Sequence, residues 1–394
     1  MPLPQPLESL DNSCSAIFNN TLYAYTSTAL QSLYLGSDAE WMNLTPGVPV
    51  TGGVCVKSTP VDNDDAAGLW IVGGVADSSD YKGLQKYTFS TGQWATIEPN
   101  VPVTQNRLWH SAVYLNASDT ILMYAGTQDG TKQPSSQTFT INATEPHTVL
   151  AYESSADPAI TPELIPFSQS KAMYVGGSET NTRAMLFSAT SGWKDSNSTL
   201  AHPFYNSTNI HAIVINGDDG SKNLYTFDMT KSPNQVNRTI IVDAEGNPVQ
   251  NAVPVVEERG TKTAPTKMLR RDDLTVQNWP TYNDTLVPSS TRSAYSIARD
   301  QSGLVVISGG NENDVLCMFR ARKNTWVNAT QMLSRAQTNQ LGTTSIPTTS
   351  SILSSTASSA PTNTAQISSE PASTTTAAAA AKASSDPPFP VKRY

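Results

Sequence analysis

The sequence predicts an all-β chain folded as a six-bladed β-propeller, and three observations carry that prediction. A hydrophobic run closed by Gly-Gly, followed by a Tyr or Phe and then by a Trp about seven residues later, recurs in order along the chain. The intervals between the tryptophans match whole numbers of four-stranded units of about 50 residues once one insertion is allowed. The connections are copied as well: Val48-Pro49-Val50-Thr51 and Val101-Pro102-Val103-Thr104 precede successive inner strands.

The blades follow in order. The first keeps only the aromatic-to-Trp spacing, Tyr34 and Trp41. The second carries Leu69-Trp70-Ile71-Val72-Gly73-Gly74, Tyr87 and Trp94. From Trp94 to Trp193 is 99 residues, enough for a blade without the Trp, which is placed at Ile121–Gly126 and Phe139. The fourth carries Met173–Gly177, Phe187 and Trp193. From Trp193 to Trp326 is 133 residues, enough for another Trp-less blade at Ile213–Gly217, with Tyr225 or Phe227 as its aromatic, and an insertion of about 30 residues. The sixth carries Val305–Gly310, Phe319 and Trp326. The glycines supply the positive φ that a tight turn at a strand end needs, at a cost of about 1–2 kcal/mol to any other residue. Runs such as Gly53–Lys57, Ser111–Leu115 and Ser293–Ala298 read as inner strands, and no segment has a helical period. The propeller is expected over residues 12–333, with a polar inserted loop at 244–288.

These units resemble the kelch repeats of galactose-oxidase-like propellers found in secreted and cell-surface fungal proteins, over roughly residues 12–330. The resemblance implies a six-bladed kelch-type β-propeller whose loops form a shallow concave surface on one face, suited to glycans or protein partners. It also raises copper radical chemistry, which in that family needs two His and two Tyr, one Tyr crosslinked to a Cys. The chain holds four histidines, His110, His147, His202 and His211, and none is paired in sequence as those ligands are. His110 falls at a common kelch position before an inner strand. His202 and His211 flank a loop and are not expected to form a site.

Charged residues are 15% of the chain, below the ~25% of an average soluble domain, and the net charge is −8. With no cluster of Lys and Arg among aromatics, nucleic acid is not an expected partner. Nine Asn-x-Ser/Thr sequons, at Asn19, Asn43, Asn116, Asn142, Asn197, Asn206, Asn237, Asn283 and Asn328, support passage through a secretory pathway. Residues 334–394 turn to Ser, Thr, Ala and Pro, too poor in apolar surface to fold, and read as a disordered, O-glycosylated stalk. In the fungal proteins the chain resembles, such a stalk leads to a membrane span. No span or signal peptide is evident here, and the reading places both beyond this sequence, with membrane or wall attachment through them.

Three cysteines allow one disulfide, with Cys14 and Cys55, on inner strands of successive blades, as the favoured pair; three buried thiols are the alternative. Arg270-Arg271, inside the polar insertion, reads either as a dibasic processing site or as an unprocessed loop. Asp62-Asn63-Asp64-Asp65 begins like a calcium loop but lacks its terminal Glu, since Gly73 stands there. No catalytic, cofactor or metal residue is assigned. The expectation is a monomeric, non-catalytic extracellular module that binds a glycan or protein. The competing expectation is an extracellular copper radical oxidase or another carbohydrate-active enzyme.

Overall fold

The computed structural model describes residues 3–203, 210–255 and 273–334. They form six antiparallel sheets, each built from consecutive strands. Blade 1 is β1 (Cys14–Phe18), β2 (Thr21–Tyr25), β3 (Leu30–Tyr34) and β4 (Trp41–Leu44); blade 2 is β5 (Val54–Ser58), β6 (Gly68–Val72), β7 (Leu84–Thr88) and β8 (Gln93–Thr96). Blade 3 is β9 (Leu108–Leu115), β10 (Thr120–Thr127), β11 (Thr138–Asn142) and β12 (Val149–Tyr152); blade 4 is β13 (Glu163–Pro166), β14 (Ala172–Val175), β15 (Arg183–Ser188) and β16 (Gly192–Thr199). Blade 5 has three strands, β17 (Ile210–Asn216), β18 (Lys222–Asp228) and β19 (Gln235–Val242). Blade 6 is β20 (Ser296–Arg299), β21 (Leu304–Ser308), β22 (Leu316–Arg320) and β23 (Thr325–Val327), followed by the short helix α1 (Ala329–Leu333).

The first strand of each blade is innermost. Strands β1, β5, β9, β13 and β17 neighbour one another in turn, and β20 returns to β1, so the sheets close into a ring. In such meanders the first and third turns of every blade lie on one face of the ring, here the turn face. The second turns and the blade-to-blade connections lie on the other, the loop face.

Sheets of this kind bury both faces against neighbours, and the core is divided accordingly. Six buried apolar clusters occupy the six interfaces. The interface between blades 6 and 1 is closed by Leu22 and Leu33 against Val306 and Met318, with Leu333 of α1. The hydroxyl of Ser296 adds bonds to Ser15 at 2.9 Å and Ser13 at 3.3 Å. Helix α1 is absent from the sequence-based expectation; the Asn328 side chain caps it by accepting the Gln331 N–H at 2.9 Å.

The glycine pairs sit where the reading places them, at the ends of second strands. Gly73 and Gly74 have φ of +71° and +78°. A Cβ on Gly73 would strike the His110 ring, and one on Gly74 would strike Val50. Their side chains are absent for space as well as for backbone freedom.

Two expectations need correction. Ile213–Ile215 lies on β17, the innermost strand of blade 5, and not on a second strand; Gly217 belongs to the β17–β18 turn, where its N–H donates to the Ser221 carbonyl. The segment 244–288 is not simply a polar loop. Residues 248–255 lie beside β19 in the place of a fourth strand, through the bridges Val242–Pro248 and Thr239–Pro254. Two prolines without N–H groups keep it from becoming a regular ladder. Farther on, Leu274 and Trp279 are buried between blades 5 and 6. Residues 335–394, which include nearly all of the expected stalk, lie outside the described residues, as do Asn206 and Arg270-Arg271.

Candidate functional site

On the loop face, blade 3 carries the long β10–β11 connection, which encloses a hollow of about 470 Å³ lined by Gln128, Asp129, Thr131, Gln133, Ser135 and Gln137. The local sequence builds it. Asp129 Oδ1 accepts the Thr131 N–H at 2.9 Å and the Thr131 hydroxyl at 2.6 Å, fixing a side-chain-closed turn. The same bonds hold the carboxyl below its ordinary pKa, so it is ionised.

Behind two of the lining residues, Gln128 and Gln137, lies Arg107, whose side chain is buried and, among the described residues, pairs with no carboxylate. Its Nε donates to the Val103 carbonyl at 2.6 Å, and Nη1 to the carbonyls of Ala125 and Gly126 at 3.0 and 2.9 Å. Nη2 reaches Gln137 Oε1 at 2.8 Å and Gln128 Oε1 at 3.3 Å. Burial pulls the guanidinium pKa down to about 10, still fully charged at neutral pH. With Gln128 Nε2 tied to the carbonyls of Pro102 and Gln105, both at 2.7 Å, two of the lining amides are held rigid from below.

A second cluster lies where inner strands begin. His211 Nδ1 stands 3.2 Å from Glu163 Oε1, and Nε2 stands 3.2 Å from the Tyr295 carbonyl, joining blades 4, 5 and 6. Both ring nitrogens face acceptors, so both must donate, which only the imidazolium does. Burial alone would lower the pKa, but the Glu163 charge and hydrogen bond, with the Tyr295 carbonyl, raise it above the ordinary value. A histidine held in this way clamps three blades; it has no free nitrogen with which to take a proton. At the far ends of the inner strands, burial lowers the pKa of the Lys57 ammonium, whose Nζ donates to the Ile17 carbonyl at 2.8 Å, and also that of the nearby Arg299 guanidinium.

Cys14 on β1 and Cys55 on β5 are joined in a disulfide with Cα atoms 5.4 Å apart. Cys317 is a buried free thiol, its pKa pushed up to about 12 by burial. Asn19, Asn43, Asn197, Asn237, Asn283 and Asn328 are exposed. Asn142 is half-buried, and so is Asn116, whose Nδ2 donates to the Thr59 carbonyl at 2.5 Å. The histidines stay apart. His110 is buried between blades 2 and 3, its Nε2 2.9 Å from the Val72 carbonyl, and His147 lies in the β11–β12 turn with Nδ1 3.0 Å from the Asn142 carbonyl. Exposed His202 is just beyond blade 4. Among the described residues, no three His, Cys, Asp or Glu side chains form a group able to hold a metal ion.

Sequence reasoning missed Arg107, the amides above it and the Glu163–His211 pair. A signal for the first exists: Arg107-Leu108-Trp109-His110-Ser111 and Arg292-Ser293-Ala294-Tyr295-Ser296 share an Arg-x-x-His/Tyr-Ser pattern. Arg292 is likewise buried, donating to the Gly309 carbonyl at 3.1 Å and pairing with Asp314 at 3.0 Å. The middle residues of both patterns, Trp109 and Ala294, take positive φ of 57° and 53°, as Asn12, Gly52 and Thr161 do at the entries to other inner strands.

No protein-family model matches the chain, and no curated protein matches it. Among solved structures, one titled "Structure of YjhT" is similar, with a TM-score of 0.50 over 82% of this chain and 99% of that one. At 13% identity the likeness is one of fold, and it agrees with the six-bladed ring described above.

Proposed function

We propose that this is a secreted or cell-surface kelch-type propeller that binds a glycan in the blade 3 hollow on its loop face. The observation that carries the reading is the lining of that hollow, carboxamides and hydroxyls around one ionised carboxylate, Asp129. A sugar hydroxyl both donates and accepts; a carboxamide offers both partners and a carboxylate accepts strongly, so the lining complements a polyol. Prealigned amides over Arg107 reduce the ordering that binding would otherwise require.

Other features are consistent with this. No sequon falls in the β10–β11 loop or in the connections at 97–107 and 153–162. The blade 3 sequons, Asn116 and Asn142, lie at first and third turns, on the opposite face. A disulfide suits an oxidising compartment. Among the described residues, no helix is long and apolar enough to cross a membrane.

Gln133 is exposed on the lining, and its side chain supports nothing else in the loop. Isothermal titration with oligosaccharides selected on a glycan array is expected to show saturable binding by the full chain. The Gln133→Trp variant, which fills the hollow, is expected to lose it with an unchanged melting temperature. No glycan binding by the parent chain, or equal binding by the variant, would refute the reading.

A further inference from the structure

Five of the six blade interfaces contain an indole. Trp94 lies between blades 1 and 2, Trp70 between 2 and 3, Trp193 between 3 and 4, Trp326 and Trp279 between 5 and 6, and Trp41 between 6 and 1. The cluster between blades 4 and 5, built on Met173, Leu224 and Ile241, has none. The reason is topological. An outer-strand Trp fills the interface with the preceding blade, and blade 5, whose fourth strand is replaced by the irregular segment 248–255, has no such residue.

The unfilled volume persists. A cavity of about 200 Å³ opens at this interface, with Phe167, Met173, Leu186 and Ile241 in its walls and Lys222 at its edge. An apolar cavity of ~150 Å³ is enough for benzene. The polar group at the edge is what selects among apolar occupants. Lys222 Nζ donates to Asn216 Oδ1 at 2.9 Å and to the Phe167 carbonyl at 3.5 Å, and stands 5.1 Å above the Phe167 ring. All three partners are neutral, and among the described residues no carboxylate pairs with it. An ammonium has three donors, which leaves one for an anion.

We propose that this interblade cavity is a binding site for a small aryl carboxylate, the ring taking the place of the missing indole and the carboxylate pairing with Lys222. Partial burial, which lowers the Lys222 pKa, strengthens such a pair relative to one in open water. The site opens beside the β13–β14 and β17–β18 turns, on the face opposite the blade 3 hollow, and is independent of the glycan reading.

Indole-3-acetate is the probe, with neutral indole as its control. Titration calorimetry on the full chain is expected to show saturable binding of indole-3-acetate. Lys222→Gln should weaken it about tenfold or more, the loss of one charge-assisted hydrogen bond. Leu186→Trp, which supplies the missing indole from the wall, should abolish binding while the melting temperature stays at or above that of the parent. Absence of saturable binding to the parent, equal affinity for neutral indole, or undiminished binding by a folded Leu186→Trp protein would each overturn the proposal. Should Leu186→Trp fail to fold, Lys222→Gln decides alone: unchanged affinity overturns it.

Discussion

His110 and Gly73 meet where blade 2 adjoins blade 3, and each explains the other. The imidazole packs on the bare Cα of Gly73, and its Nε2 must carry the proton because it faces the Val72 carbonyl. Nδ1 is buried with no partner, so a second proton would be an unpaired buried charge; burial, the chief cause, takes the pKa down to about 4. In the unfolded chain it titrates near the ordinary 6.5. Above that value neither state binds the proton and stability is unaffected. As pH falls below 6.5 the unfolded chain takes up a proton that the folded chain refuses, so stability is lost until the pH passes below about 4. The loss by pH 4.5 is about 2–3 kcal/mol. His110→Gln, which keeps a donor for the Val72 carbonyl, is expected to lack this acid limb: urea midpoints at pH 7 and pH 4.5 should converge in the variant relative to the parent. Equal acid sensitivity in both proteins would mean that His110 is protonated in the fold.

At the scale of the element, the outer-strand tryptophans act as stitches between blades. Trp94 Nε1 donates to the Thr45 carbonyl at 2.7 Å, Trp193 to the Thr138 hydroxyl at 2.9 Å and Trp326 to the Tyr282 hydroxyl at 2.9 Å, each across to the preceding blade or its following segment. Trp193 also packs against Tyr124, Tyr174 and Phe187, with ring centroids 4.8 to 5.9 Å apart. Trp193→Phe should therefore destabilise by about 2 kcal/mol, part from the lost indole bond to the Thr138 hydroxyl, which keeps its own bond to the Ser136 carbonyl, and part from lost packing. Thr138→Val separates the two: a cost well below that of Trp193→Phe assigns the larger share to packing. These stitches are what made the fold legible, because Gly-Gly, aromatic and Trp recur at fixed offsets within one blade. Blade 5 was legible only in part. Its innermost strand ends in Asn216-Gly217, which imitates a second-strand end, and its fourth-strand place is taken by a segment interrupted by Pro248 and Pro254. The candidate site was legible only at Arg107, through its repeated pattern. Glu163 and His211 lie on different blades and meet only where blades 4 and 5 pack side by side, and nothing in the residue types of Trp109 or Ala294 announces a left-handed backbone.

For the whole molecule the question is what keeps the ring shut. Each sheet is built from consecutive strands, so no blade mixes the two ends of the propeller, and closure depends on the contacts between blades 6 and 1: their shared apolar cluster, the Ser13 and Ser15 bonds to Ser296, and the Asn12 N–H donated to the Ala294 carbonyl. Those contacts receive help from both flanks. Leu7 and Glu8 donate backbone N–H groups to Gln31 Oε1, Trp41 Nε1 reaches the Pro4 carbonyl at 3.2 Å, and the Leu333 carbonyl of α1 accepts the Ala39 N–H. The Cys14–Cys55 disulfide acts on the same blade from its other side, fixing β1 to β5. It closes a loop of 41 residues, for which the chain-entropy model gives about 4 kcal/mol of stabilisation. Replacing both cysteines by serine is expected to lower the free energy of unfolding by roughly 2–4 kcal/mol, read from guanidinium midpoints under one set of conditions. Unfolding exposes the Cys317 thiol, so the midpoints are read at mildly acidic pH, where a free thiol stays protonated and exchanges slowly. Because blade 1 is the blade through which the ring closes, loosening it should affect the whole transition. A single, earlier transition in the variant places the disulfide in the closure of the ring; an early separate loss of blade 1, seen as exposure of Trp41 and Trp94 before Trp193 and Trp326, would instead show that blades 2 to 6 hold together as an open arc.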